Sequence, residues 1–150
     1  KNNMIRAANI KYLEEILKIE EDVFPRPWSR QQLINDLHST INIENLVYIN
    51  DKKVVAYLLG NKVIDEFHLH NIAVHKNFQR KHIGIELINH LINHLRYQGF
   101  KKIFLEVSGK NEPAKKLYQS VGFQKKGIRR DYYSKGDHAF LYHLNLETNG

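Results

Sequence analysis

Cysteine is absent from the 150-residue chain. That excludes disulfide bonds, thiolate metal centres and any covalent route through a cysteine nucleophile. Also missing is an apolar stretch near the roughly 18 residues that a bilayer-crossing helix needs. The first ten residues lack the apolar core and cleavage site of a secretory leader, so the expected location is the cytoplasm. There is no G-x-S-x-G elbow and no G-x-x-x-x-G-K-[ST] loop, which leaves a serine hydrolase or a P-loop nucleotide enzyme without support. His68 and His70 share a strand face, and His90 and His94 a helix face, but neither pair has a third ligand or the glutamate of H-E-x-x-H. No metal is expected. Repeats, low-complexity tracts and linkers are lacking too, and the length suits one domain over residues 1–150.

What is present in excess is positive charge. Lysine and arginine number 23 against 16 acidic residues, giving +7 at pH 7. Such a field favours polyanionic partners, whether nucleic acid, a phosphorylated cofactor or acidic protein segments.

Hydrophobic periodicity orders the elements. Asn9 is placed to cap a helix running to about Val23, because Ile10, Leu13, Ile16, Leu17 and Glu20 recur at helical spacing, four of them apolar. The prolines at 25 and 27 stop it. Ser29 stands three residues before Gln32, a capping-box pattern opening a second helix with Leu33, Ile34 and Leu37 on its buried stripe. "NLVYIN", "KVVAYLLG" and "EFHLHNIAV" are separated by turn formers and read as an antiparallel meander. Ile83, Leu87, Ile88, Leu91, Ile92 and Leu95 then mark a helix packed by one face and stopped near Gly99. "KKIFLEVS" is a strand, Asn111 caps a short helix with Pro113 in its first turn, and Gly122 suits the left-handed residue ending it. "FQKKGIRR" and "HAFLYHLNL" finish as strands. The expected fold is α/β with a mixed, mostly antiparallel sheet flanked by helices, in the order ααβββαβαββ.

One junction carries chemistry. After the strand ending "NIAV", the residues Arg80, Lys81 and His82 stand where a helix begins. A helix N-terminus leaves its first N–H groups unpaired and carries about half a positive charge, so it can hold phosphate oxygens. Gly84 would admit an anion close to the backbone. A basic first turn facing only water is equally compatible with these residues.

"QRKHIG", Gln79 to Gly84, resembles the Q/R-x-x-G-x-G/A signature of the GCN5-related N-acetyltransferase (GNAT) superfamily, and it follows "IAV" as that pattern requires. "LEVSGKNEPAKKLYQSVGF", "IRRDYY" and "FPRPWS" resemble the branch that acetylates protein N-termini, ribosomal proteins among them, and their order matches over nearly the whole chain. The resemblance implies an acetyl-CoA-dependent N-acetyltransferase. Ile72, Ala73 and Val74 would offer strand backbone to the pantetheine arm, with N–H groups near Val74 polarising the thioester carbonyl. Arg80, Lys81, His82, Ile83, Gly84 and Ile85 would surround the diphosphate, and Asn111 would touch the cofactor near the thioester. Glu106 would be the proton acceptor and Tyr118 the proton donor. Phe24, Pro25, Tyr132 and Tyr133 would wall the acceptor-peptide groove. His82 departs from the pattern, standing where the family usually has its first glycine; a helical first-turn angle would accommodate it and leave its ring free to donate to phosphate.

The resemblance further implies direct transfer in a ternary complex. An acceptor that is a small amine or a lysine side chain remains an alternative, as does a non-catalytic module that senses CoA or binds RNA. No RNP-type aromatic motif accompanies "IRRDYY", which points away from nucleic acid.

Overall fold

Apolar residues alternate along strands and recur at helical spacing between them, and the two patterns meet in one sheet with helices on both faces. The computed structural model describes residues 3–38 and 44–147. Seven strands lie in the order β1-β2-β3-β4-β5-β7-β6. They are β1 (Asn3–Ala7), β2 (Leu46–Asn50), β3 (Lys53–Val63), β4 (Glu66–Val74), β5 (Lys102–Ser108), β6 (Gln124–Ser134) and β7 (Asp137–Asn145). Every neighbouring pair is antiparallel except β4 and β5.

Helices α1 (Leu13–Val23) and α2 (Arg30–Leu37) cover one face, where Ile16, Leu33, Val47, Tyr57 and Leu59 are almost completely buried. The other face is covered by α3 (Ile83–Tyr97), with Leu87, Ile88, Leu91 and Leu95 turned onto Leu58, Phe67 and Ile103. Tyr118 of α4 (Glu112–Ser120) joins that second core.

The expected caps form. Asn9 accepts from the Lys11 N–H, although the element it opens is a 3-10 turn, Ile10–Tyr12, leading into α1. At Ser29 both halves of the capping box are made, a device contributing about 1 kcal/mol. Gly122 adopts φ 100° and Gly99 φ 82°, the left-handed angles that glycine takes without steric cost.

Two elements differ from the sequence reading. β1 was not anticipated: it is an outer strand, every residue of which is exposed or half-exposed, so "NMIRA" carries no alternation to read. β6 also runs past Arg130 to Ser134, but its pairing with β7 slips between Arg129 and Ser134, where Asp131 takes φ 53°. A bulge of that kind has no apolar period.

Candidate active site

Two central strands part company partway along. β4 and β5 pair only from Glu66–Lys102 to Leu69–Leu105. Immediately afterwards the β3–β4 ladder steps from Leu59–Asn71 to Gly60–Leu69, leaving His70 as an extra residue in β4. Such bulges bend a strand. Gly60 is required at this point, since a Cβ there would lie 2.4 Å from the His68 carbonyl oxygen and 2.6 Å from the Phe67 ring. His70 is held by the Trp28 ring, 5.6 Å away between centroids, and by Asp36, whose carboxylate lies 3.0 Å from Nδ1. Beyond the bulge, Asn71 to Val74 and Glu106 to Ser108 form opposite walls of a cleft of about 1420 Å³.

One end of the cleft is basic. It is lined by Lys76, Arg80 and His82 around the first turn of α3, Ile83, Gly84 and Ile85. Backbone pairing within α3 starts with the Glu86 N–H donating to the His82 carbonyl at 3.0 Å, so the amides of 83–85 precede the helical ladder. Two findings correct the reading of this turn. His82 is not at a helical angle: it sits at φ 64°, ψ 17°, in the left-handed region, without a side-chain capping bond. Arg80 also has φ 64°. Gly84, in contrast, has an ordinary φ, and its lack of a side chain serves packing, because a Cβ would meet Leu117 Cδ2 at 3.2 Å. The Gln79 side chain donates to the Val74 carbonyl at 2.9 Å, tying the loop back to β4.

The other end is acidic and aromatic. Glu106 is exposed, with Arg129 3.7 Å away. Tyr118 is buried against Phe123 and Tyr142, and burial, with a smaller effect from Tyr133, pushes its hydroxyl well above the ordinary phenol range. Tyr133 is pushed up to about 12, first by burial and then by the charge of Glu106. Phe24, Pro25 and Arg26 form the facing wall. Arg26 donates to Asp137 at 3.1 Å and to the Ser134 hydroxyl at 2.8 Å, and the Ser108 hydroxyl donates to the same aspartate, bridging the α1–α2 loop to the β6–β7 hairpin. Those bonds hold the Asp137 carboxyl below the usual carboxylate range, Ser108 first and Arg26 next, against the opposing effect of burial.

Of the sequence-derived candidates, the cleft gathers Phe24, Pro25, Ile72, Ala73, Val74, Arg80, His82, Ile83, Gly84, Ile85, Glu106, Asn111, Tyr118 and Tyr133. Asn111 does so while its side chain accepts from the Ala114 N–H as the cap of α4. Lys81 and Tyr132 are not on its walls: the lysine lies over the Phe78 ring, and Tyr132 is exposed with Arg129 above it. Sequence reasoning passed over Glu20, Asn71, Ser108 and Asp137, which are on the walls. A readable signal existed for Glu20 alone, a carboxylate on the apolar stripe of a helix. Among the described residues no group of three or more His, Asp or Glu side chains could hold a metal.

Comparison with known proteins agrees with this geometry. Residues 13–123 match the family model described as the acetyltransferase (GNAT) family. The ribosomal protein bS18-alanine N-acetyltransferase of Haemophilus ducreyi is 34% identical over 134 residues, covering 89% of this chain and 91% of that protein. Its Escherichia coli K12 counterpart is 33% identical, covering 90% of each. The crystal structure of the Escherichia coli ribosomal-protein-S18-alanine N-acetyltransferase superposes with TM-score 0.90 at 30% identity, over 99% of this chain and 96% of that one. Ard1 from Thermoplasma volcanium shares the fold, with TM-score 0.91 at 21% identity over 99% and 100%.

Proposed function

Because the chain belongs to the acetyltransferase (GNAT) family and is an N-acetyltransferase, we propose that it moves an acetyl group from acetyl-CoA to the N-terminal α-amine of a protein, the N-terminal alanine of a small-subunit ribosomal protein. The observation that carries this is the division of one cleft into a basic helix-N-terminal end and an acidic, aromatic end, on either side of an unpaired strand edge. The names of the similar enzymes support this choice of acceptor.

The basic end fits a diphosphate. The amides of 83–85 and the side chains of Arg80 and His82 would hold it, and the edge of β4 from Ile72 to Val74 would hold the arm. When bound, acetyl-CoA supplies an acetyl group activated as a thioester. Backbone N–H groups near Val74 would meet the charge that develops on its carbonyl oxygen.

The protein's own task is proton management. An α-amine has a pKa near 8, so it must lose a proton before it can attack. Glu106, open to the cleft, takes that proton directly or through water. Tyr118 keeps its own proton in the resting protein, because burial opposes phenolate formation, and its hydroxyl would donate that proton to the leaving sulfur. Transfer is direct, since the cleft wall offers no cysteine to carry the acetyl group.

The test is thiol release from acetyl-CoA with an alanine-initiated peptide, the acetylated position being located by mass spectrometry. Acetyl on the α-amine is expected. Modification confined to a lysine side chain, or no turnover with any peptide, would refute the assignment.

A further inference from the structure

The group with least explanation in the cleft is Glu20. Its residue is 1% exposed, yet it lies on the cleft wall, on the last turn of α1. Three donors converge on the carboxylate: the Tyr57 hydroxyl and Asn71 Nδ2 (2.8 Å) on Oε1, and the Trp28 amide (2.8 Å) on Oε2. Burial pushes the carboxyl above its ordinary range, and the three donors work against that shift by favouring the ionised form, since a protonated carboxyl would need an acceptor for its own hydrogen. No lysine, arginine or histidine forms an ion pair with Glu20 among the described residues. Buried charges are ordinarily paired, since desolvation without a counter-charge is costly.

The cations at this end of the cleft face other carboxylates. Arg26 pairs with Asp137, on which the charge of Lys110 also acts, and Arg129 stands beside Glu106. Glu20 is therefore a buried, hydrogen-bonded carboxyl with no cation paired to it among the described residues, on the wall it shares with Asn71 and Phe24, where an incoming cation would favour its charged form. A carboxylate has about four acceptor sites and three are filled, so one more N–H donor can be received.

We propose that Glu20 is the docking carboxylate for the acceptor's α-ammonium, binding the charged amine before its proton passes to Glu106. The inference rests on the reading of the protein as an α-amine acetyltransferase and adds a residue and a step to it. An ammonium is the form an α-amine chiefly takes near neutral pH, and it is small enough to reach a carboxylate that a guanidinium could not approach. Selectivity for a free N-terminus follows: a blocked terminus leaves Glu20 buried and unpaired.

The experiment measures binding to the complex with coenzyme A, which cannot transfer acetyl. Two hexapeptides are compared, one beginning with alanine and one with propionyl in place of alanyl, identical but for the amine. Wild-type protein is expected to favour the amine by about tenfold or more, the range of a charge-assisted hydrogen bond. Glu20→Gln should abolish most of that ratio, whereas Tyr57→Phe, which disturbs the same network and keeps the charge, should preserve it. A purely structural role would weaken both peptides together and leave the ratio intact. An unchanged ratio in Glu20→Gln, or a ratio lost only in Glu106→Gln, overturns the proposal. Should Glu20→Gln fail to fold, wild-type protein still decides: titration in two buffers of different ionisation enthalpy should show no proton released when the amine peptide binds at pH 7, and release of a proton overturns the proposal. Absence of acetyl transfer to any α-amine would instead refute the underlying function, independently of these ratios.

Discussion

Replacing His82 by glycine should stabilise the protein. His82 stands at φ 64° with an exposed side chain that makes no capping bond. A residue with a Cβ loses about 1–2 kcal/mol in the left-handed region, and histidine sits toward the lower end because polar residues are tolerated there. Glycine removes that penalty but adds about 0.4–1 kcal/mol of unfolded-chain entropy. The net gain is about 0.5 kcal/mol, which for a domain of this size is a rise in Tm of about 1–2 °C. His82→Ile supplies the opposite arm, since a β-branched residue at positive φ is a true outlier and should lower Tm by several times that amount. Thermal unfolding followed by circular dichroism resolves the series if all variants are run together. The order glycine, histidine, isoleucine is required. A glycine variant that melts below wild type, or an isoleucine variant equal to it, would show that the left-handed angle imposes no cost. Acetyl-CoA affinity separates a second effect: a weaker Kd in His82→Gly, despite greater stability, would assign the imidazole a contact with phosphate.

The other predictions concern chemistry, packing and pH. Glu106→Gln and Tyr118→Phe should each lower kcat by about 100-fold or more, with acetyl-CoA affinity changed far less; wild-type turnover in either variant removes that residue from proton transfer. Gly84→Leu should destabilise by about 1–3 kcal/mol, because the helix there approaches Leu117 too closely for a branched side chain, as chemical denaturation would reveal. Asp137 has a depressed folded pKa, so its contribution is present above the ordinary aspartate pKa and disappears as pH falls through the folded value. The Tm difference between wild type and Asp137→Asn should accordingly be full at neutral pH and shrink below about pH 4; a difference that persists at pH 2 would contradict the ion pair and hydrogen bond to Ser108.

Helix signals were the most readable because they are local. Ser29 with Gln32, Asn111 with Pro113, and the spacing from Ile83 to Leu95 need only nearby residues, and each produced the element expected. β1 escaped because an outer strand with no buried residue obeys no pattern. Glu106 and Tyr118 were nominated through resemblance, since a strand-end glutamate and a helical tyrosine are ordinary by themselves. Their sharing one cleft goes with the parting of β4 and β5, next to an extra residue at His70 and Gly60 beneath it. Neither announces a bulge in sequence. His82 illustrates the converse: the unusual residue was visible, but only backbone angles could tell whether it followed the helix or turned left-handed before it.

The parted strands solve a problem that an unbroken sheet could not. Along β5, Leu105 and Val107 point into the core beneath α3 and α4, and Glu106 between them points to the opposite face. Tyr118 belongs to the core side. A continuous β4–β5 ladder would therefore place the backbone of β4 between carboxylate and phenol, and no reacting centre could touch both. Because pairing stops at Leu69–Leu105, one residue short of Glu106, the space where β4 would have lain becomes a window through the sheet, open to both faces. The freed edge of β4 then borders that window with backbone donors and acceptors that still require partners. An unpaired edge buried inside a protein is ordinarily a liability. Here it is a surface on which an amide-rich arm could complete the sheet, so the feature that opens one cleft to both Glu106 and Tyr118 also leaves the edge proposed for the donor.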